Sequence, residues 1–163
     1  MNCSQTKCHF AGFTLVELLM TILVLSILTT IGVTQFTDFG KDARIAVTTE
    51  KLMALKSAII GDPSFHAAGE YTKQGFQVHC GAPPTILDDL ITMPAAGTCS
   101  TVYDPFLKTG WRGPYVSTTD PSWNKDAWGT TFEYYVVGPP ARTIRSCGPD
   151  KTCGNTDDIS VTF

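Results

Sequence analysis

Residues 12–33 read Gly12-Phe13-Thr14-Leu15-Val16-Glu17 and then LLMTILVLSILTTIGV. From Phe13 to Val33 this is a run of 21 residues with one charge, Glu17. As a helix it spans roughly 30 Å, the hydrocarbon thickness of a bilayer. It is longer than the roughly 7–15-residue apolar core of a secretory signal, and no A-x-A cleavage site follows it. A carboxylate also stands at its fifth residue. A plain anchor explains the length but not Glu17, because an ionisable group in the bilayer is expensive and is generally kept for a function.

The hexad Gly12–Glu17 followed by a long apolar helix resembles the class III signal of type IV pilins and type II secretion pseudopilins. The resemblance implies that residues 1–12 are a leader, cut after Gly12 by a prepilin peptidase on the cytoplasmic side. The same enzyme would methylate the new N-terminus, Phe13. It also implies a role in assembly for Phe13 and Glu17. A carboxylate in an apolar medium needs a partner, and in a helical filament the α-amino group of Phe13 on a neighbouring subunit would supply it and set the register. Lys7 is the only formal charge in the leader, and Asp38, Lys41, Asp42 and Arg44 balance one another. Orientation therefore rests on the motif more than on the positive-inside rule.

Working outward, no proline precedes Pro63, so Phe13 to Ile60 reads as one helix of roughly 70 Å. Relatives in the pilin-like family often carry a proline at the position of Thr34, so the usual cause of a kink is missing. Ile45, Leu52, Leu55 and Ile59 recur at spacings of seven, three and four, one face of a helix. Lys41, Arg44, Lys51 and Lys56 are expected mostly to face away. Gly61-Asp62-Pro63 is a stop. The expected divisions are thus a leader over 1–12, a transmembrane and filament-core helix over 13–33, its amphipathic continuation over 34–60, and a globular domain over 61–163.

Residues 61–122 hold seven of the ten prolines and read as loop-rich. Ile86–Ile91 reads as a short helix after Pro83-Pro84, with Thr85 as its cap. Trp111–Val116 reads as a turn into an extended segment. Further on, 130–137, 143–146 and 159–161 are rich in β-branched and aromatic residues and read as strands, with Gly138-Pro139-Pro140 breaking the first. Short antiparallel strands against a helix give an α+β fold, and the resemblance names it pilin-like.

The tail carries the one cluster of potential metal ligands. Asp150, Asp157 and Asp158 lie within nine residues of a Gly-rich loop, 146–159. Hard cations such as Ca²⁺ take six to eight oxygens from carboxylates and main-chain carbonyls. A calcium site and a solvated acidic turn both fit the spacing, which is not that of an EF-hand. Lys125-Asp126 with Trp128-Gly129-Thr130-Thr131-Phe132-Glu133-Tyr134 is similar to the D-x-W-G-x-x-Y-x-Y signature of the major pseudopilin of type II secretion. The tail Ser146–Ile159 looks like that subfamily's S-x-G-P-D-G-x-x-G-T-x-D-D-I. This second resemblance implies a structural Ca²⁺ held by Asp150, Asp157 and Asp158, with main-chain carbonyls near Cys147 and Thr152 as further ligands. The 61–122 region is longer than the subfamily leads one to expect.

Cys3 and Cys8 fall in the leader, leaving Cys80, Cys99, Cys147 and Cys153 for an oxidising periplasmic domain. Four cysteines allow three pairings, and proximity favours Cys80–Cys99 and Cys147–Cys153. Zinc lacks a C-x-x-C, and His66 and His79 are isolated. Cys80 beside His79 does not make a thiol nucleophile, because adjacent residues seldom face one another, and no nucleophile elbow is present. Trp111, Trp123, Trp128, Tyr134 and Tyr135 fit either a binding surface or core, and such aromatics are more often core.

No enzyme activity is expected. Lys and Arg number 12 against 15 Asp and Glu, a net charge of −3, which argues against a basic nucleic-acid surface. The expected function is that of a structural subunit polymerising with itself into the periplasmic pseudopilus of type II secretion. The alternative is a type IV pilin of a cell-surface fibre for adhesion, motility or DNA uptake. Expected partners are minor pseudopilins or pilins, the prepilin peptidase, an inner-membrane assembly platform and the lipid bilayer before assembly. The expected location is the bacterial inner membrane, single-pass, with the C-terminal domain in the periplasm.

Overall fold

The structure, a computed structural model, describes residues 13–62, 64, 66–67, 70–71, 74–95, 97, 99–137 and 142–163, with backbone alone for 31–38, 66–67 and 70–71. The leader 1–12 and the break at 138–140 lie outside the described residues. The chain divides into two compact units, Met1–Gly40 and Lys41–Phe163.

One helix, α1, runs Leu15–Ile60. Thr14 starts it: its hydroxyl accepts the Glu17 N–H at 3.3 Å, satisfying one of the free amides of a helix N-terminus. Gly61 ends it with φ 98° and donates its N–H to the Ser57 carbonyl at 2.9 Å, a left-handed cap that glycine adopts without strain. No proline interrupts the helix.

In the second unit, the predicted stripe is the core-facing side of α1. Leu52, Leu55, Ala58 and Ile59 are buried together with Phe76, Leu87, Leu90, Phe132 and Ile144. Thr48, between Ile45 and Leu52 on the same stripe, is also fully buried, and its hydroxyl accepts the Ala127 N–H at 3.2 Å. Lys51 departs from expectation. It does not face away but reaches over the 120–125 turn, donating to the Ser122 carbonyl at 2.9 Å and lying 3.5 Å from Asp120. Its long apolar stem lets the ammonium bridge to polar partners from a half-buried position.

After α1 come a two-residue hairpin, β1 His66–Ala67 with β2 Glu70–Tyr71, and a short helix, α2 Phe76–Cys80. A 3₁₀ turn follows at Leu87–Leu90. Thr85 is not its cap. The carboxylate of buried Asp89 turns back and accepts the Thr85 N–H at 2.9 Å, the Thr85 hydroxyl at 3.0 Å and the Ile86 N–H at 3.2 Å. With Asp89 in the acceptor's place, Thr85 becomes a donor. Of the five aromatics read as core, Trp111, Trp123 and Tyr134 pack against it, joined by Tyr115, whereas Trp128 and Tyr135 are half-buried outside that cluster.

Three antiparallel strands, β3 Glu133–Tyr135, β4 Thr143–Ser146 and β5 Ile159–Thr162, form a sheet in that order. The register places Glu133 opposite Arg145 and Arg145 opposite Ser160. The strand expected over 130–137 is cut to 133–135. Residues 130–132 pair backwards instead: Asp126 N–H donates to the Thr130 carbonyl and Phe132 N–H to the Asn124 carbonyl, both at 2.9 Å.

Candidate functional site: the apolar helix and the C-terminal loop

In the first unit every large apolar side chain from Phe13 to Leu28 is at least half exposed, from 52 % at Leu19 to 80 % at Leu15. The polar side chains among them turn inward on the helix. Thr21, Ser26 and Thr29 donate their hydroxyls to the carbonyls of Leu18, Leu23 and Leu25 at 2.7–2.8 Å. An apolar surface of this extent with its polar groups tied up calls for a covering partner or solvent that is not water. Glu17 shares one face with Met20, Thr21, Val24 and Leu25. No cation of its own chain lies within ion-pair distance of it among the described residues. Among the described residues no helix is long and apolar enough to cross a membrane. The expected span, 13–33, ends beyond Thr30, where the described side chains of this stretch stop.

At the other end, Cys147 is joined to Cys153, and Cys80 to Cys99. No thiolate of these four is left for zinc or for catalysis. His79 is buried, with Nδ1 2.9 Å from the Tyr115 hydroxyl and Nε2 3.0 Å from Gln74 Oε1. Burial, and then the nearby positive charge of Arg112, hold its pKa below the ordinary 6.5.

Within the 146–159 loop the three aspartates play different parts. Asp150 is exposed and uses both oxygens locally: Oδ1 accepts the Thr152 N–H and Oδ2 the Asn155 side-chain amide, each at 2.7 Å. The Asp157 carbonyl and Oδ2 lie against Gly148. A Cβ at position 148 would stand 2.4 Å from the first and 3.0 Å from the second. Asp158 Oδ2 accepts the Gly154 N–H at 2.7 Å and faces the Arg145 guanidinium at 3.5 Å. Its other oxygen, Oδ1, is buried and has no hydrogen-bond partner. The three carboxylates do not gather within 4.8 Å of one another. Among the described residues, the group of ligand-type residues that does is Glu133 with Cys147 and Cys153, whose sulfurs are spent in a disulfide.

Arg145 links the loop to the sheet. Its Nε donates to Glu133 Oε2 at 2.9 Å, and its Nη2 to the same oxygen and to the Tyr135 hydroxyl at 3.2 Å. Burial alone would raise the Glu133 pKa, but the hydrogen bonds from Arg145 and Tyr135 and the guanidinium charge outweigh it and hold the carboxyl below its usual range.

Asp126, present in the D-x-W-G signature but given no role from sequence, is the functional residue the sequence reading missed. It is 4 % exposed. Oδ1 accepts the N–H of Trp128 at 3.0 Å and of Thr130 at 2.8 Å, and Oδ2 accepts the Ser146 hydroxyl at 2.6 Å. Ser146 in turn accepts the Gly148 N–H at 3.2 Å. An Asp three residues before a Gly is the pattern of a turn in which the side chain holds its own backbone, and that signal was available.

An apolar helix with a glutamate near its start, followed in the chain by an α+β unit with a disulfide-stapled acidic tail, is consistent with a pilin-like fold. The family model described as the Prokaryotic N-terminal methylation motif matches residues 7–33. The particular likeness is to a G-type pseudopilin. The chain is 29 % identical to the "Type II secretion system core protein G" of Xanthomonas campestris pv. campestris, over 98 % of this chain and 94 % of that one. No solved structure matches the chain.

Proposed function

We propose that this chain is the major pseudopilin of a type II secretion system, a structural subunit that polymerises into a periplasmic filament. The observation that carries the reading is Glu17, which among the described residues has no cation within ion-pair distance, on a helix whose large apolar side chains from Phe13 to Leu28 are all at least half exposed. Helices of neighbouring copies would cover that surface, and the Phe13 amine of a neighbour would pair Glu17. Cleavage after Gly12 frees that amine. Minor pseudopilins, a prepilin peptidase and an inner-membrane platform are its partners in this reading, and the bilayer holds the helix before assembly. Glu17→Ala, expressed in cells carrying the secretion machinery, should leave the globular unit folded and abolish filaments. Filaments of normal number and length from that variant would sink the pairing.

We further propose that the C-terminal loop takes Ca²⁺. Support comes from the orphaned buried Oδ1 of Asp158, beside which the loop turns back on itself so that the Asp157 carbonyl and Oδ2 lie against Gly148. Asp157 and Asp158 would hold the ion with main-chain carbonyls near Cys147 and Thr152, and Asp150 would join only by releasing amide bonds. The ion would supply stiffness to the loop. At about 100 times its dissociation constant it should add about 2.7 kcal/mol to stability. A melt of the protein in detergent that is indifferent to Ca²⁺ and chelator alike would exclude it.

A further inference from the structure

The long segment between α1 and the sheet carries a surface feature that the secretion reading does not use. Phe106 is 95 % exposed, Val102 75 % and Leu107 71 %. The backbone beneath them is well tied. Asp104 Oδ1 accepts the N–H groups of Phe106 at 2.8 Å and Leu107 at 3.1 Å, and Asp104 N–H closes the loop onto the Thr109 carbonyl at 2.7 Å. Its base is anchored by Gly110 N–H to the His79 carbonyl, by Trp111 N–H to the Ser100 carbonyl, and by the Cys80–Cys99 disulfide. Gly110 lies so close to the Val102 carbonyl that a Cβ there would stand 2.3 Å from it. A pre-ordered apolar knob loses little entropy on docking, and an exposed apolar patch on a folded domain marks a contact site.

The same unit offers a groove of about 590 Å³ between the end of α1 and residues 115–123. Met53, Ala54, Val116 and Trp123 give it an apolar lining. Around them stand Glu50, Asp62 and Asp120 against a single lysine, Lys51, already paired with Asp120. The knob segment has the opposite balance, Lys108 and Arg112 against Asp104, whose Oδ1 is occupied by its own turn. Apolar surface thus matches apolar surface, and a net positive loop matches a net negative rim.

We propose that the Phe106–Leu107 knob of one copy seats in the α1/115–123 groove of a second copy. This rests on the filament reading and names the contact that the globular units would make within it. Knob and groove are different patches, so the contact is heterologous, the kind that propagates from copy to copy rather than ending at a dimer.

The test places a photo-reactive benzoylphenylalanine at Phe106 in the full-length chain, in its membrane, with isotopically light and heavy copies mixed. Illumination should give a cross-linked dimer joining residue 106 of one copy to residues 50–62 or 115–123 of another. Ala54→Trp, which fills the groove from an exposed position, should lower the yield by an order of magnitude. No cross-link, one to lipid or another protein, one elsewhere on the partner copy, or a yield untouched by Ala54→Trp overturns the proposal. Filaments are scored separately by electron microscopy. Filaments without the cross-link sink the docking and spare the subunit reading, whereas the mapped cross-link without filaments does the reverse.

Discussion

Asp126 and Ser146, twenty residues apart, share a buried hydrogen bond of 2.6 Å that ties the turn before the sheet to the start of the C-terminal loop. The same carboxylate holds the N–H groups of Trp128 and Thr130. Asp126→Ala would strand three donors, two of them main-chain and part-buried and one, the Ser146 hydroxyl, buried. Each unsatisfied buried group costs about 1–3 kcal/mol, so the variant should lose about 3–5 kcal/mol. Asp126→Asn keeps one carbonyl acceptor and should lose less than half as much. Urea unfolding of the two variants in detergent checks the order, and equal losses would show that the acceptor count does not matter.

Gly75 meets the end of α1 backbone to backbone. A Cβ there would lie 2.3 Å from the Gly61 nitrogen and 2.5 Å from the Ile59 carbonyl oxygen. Neither neighbour is the tip of a flexible side chain, so one segment must move. Gly75→Ala should cost at least about 2 kcal/mol, in the range of overpacked cores. Gly129→Ala is the contrast, with open space around the new methyl but φ 85°. Its cost should be about 1–2 kcal/mol of backbone strain. A thermal melt in which Gly129→Ala is the more damaged would invert the argument.

Much of this was legible in the residues, because it depends on neighbours in sequence. The apolar run is continuous, the Leu52–Leu55–Ile59 stripe is periodic, Gly61 comes just after the stripe ends, and β4 coincides with the predicted 143–146. The short reach of each cysteine pair suited the joined pairs Cys80–Cys99 and Cys147–Cys153. What was not legible depends on long-range competition for hydrogen bonds. Thr130 to Phe132 have strand propensity, yet the 124–126 segment captures them before the sheet can. The β1–β2 hairpin is two residues per strand, too short for an alternating pattern. In the acidic loop, composition named three aspartates. It could not say that Asp150 would spend itself on local amides, or that sheet register would bring Arg145 to Asp158.

His79 makes stability depend on pH. Its folded pKa is below the ordinary 6.5, first from burial and then from Arg112. Tyr103 and Tyr115 also lie against the ring, and burial raises the Tyr115 pKa above its ordinary value, away from this range. Below pH 6.5 the unfolded chain binds a proton that the folded imidazole refuses. Stability is therefore full above pH 6.5 and falls as pH drops from 6.5 through the folded pKa, with a slope of up to about 1.4 kcal/mol per pH unit. Urea midpoints between pH 7.5 and 5 should show this fall in the parent and a flatter line in His79→Gln. Parallel lines would assign the slope elsewhere.

The two disulfides should differ in what they hold. Cys80–Cys99 closes a separation of 19 residues and Cys147–Cys153 one of 6. On the chain-entropy account the longer loop is worth about 3 kcal/mol and the shorter about 2 kcal/mol. Cys80→Ser with Cys99→Ser should therefore melt lower than Cys147→Ser with Cys153→Ser. The local consequences should run the other way. The longer bridge anchors the base of the 101–109 loop, so its loss should speed amide exchange at Phe106 and Leu107 and leave Gly154 protected. Loss of the shorter bridge should expose the Gly154 amide, which donates to Asp158, and leave Phe106 and Leu107 unchanged. Hydrogen exchange read by mass spectrometry on the two double variants separates these effects, and the same peptides opening in both would mean that the bridges act on the domain as a whole.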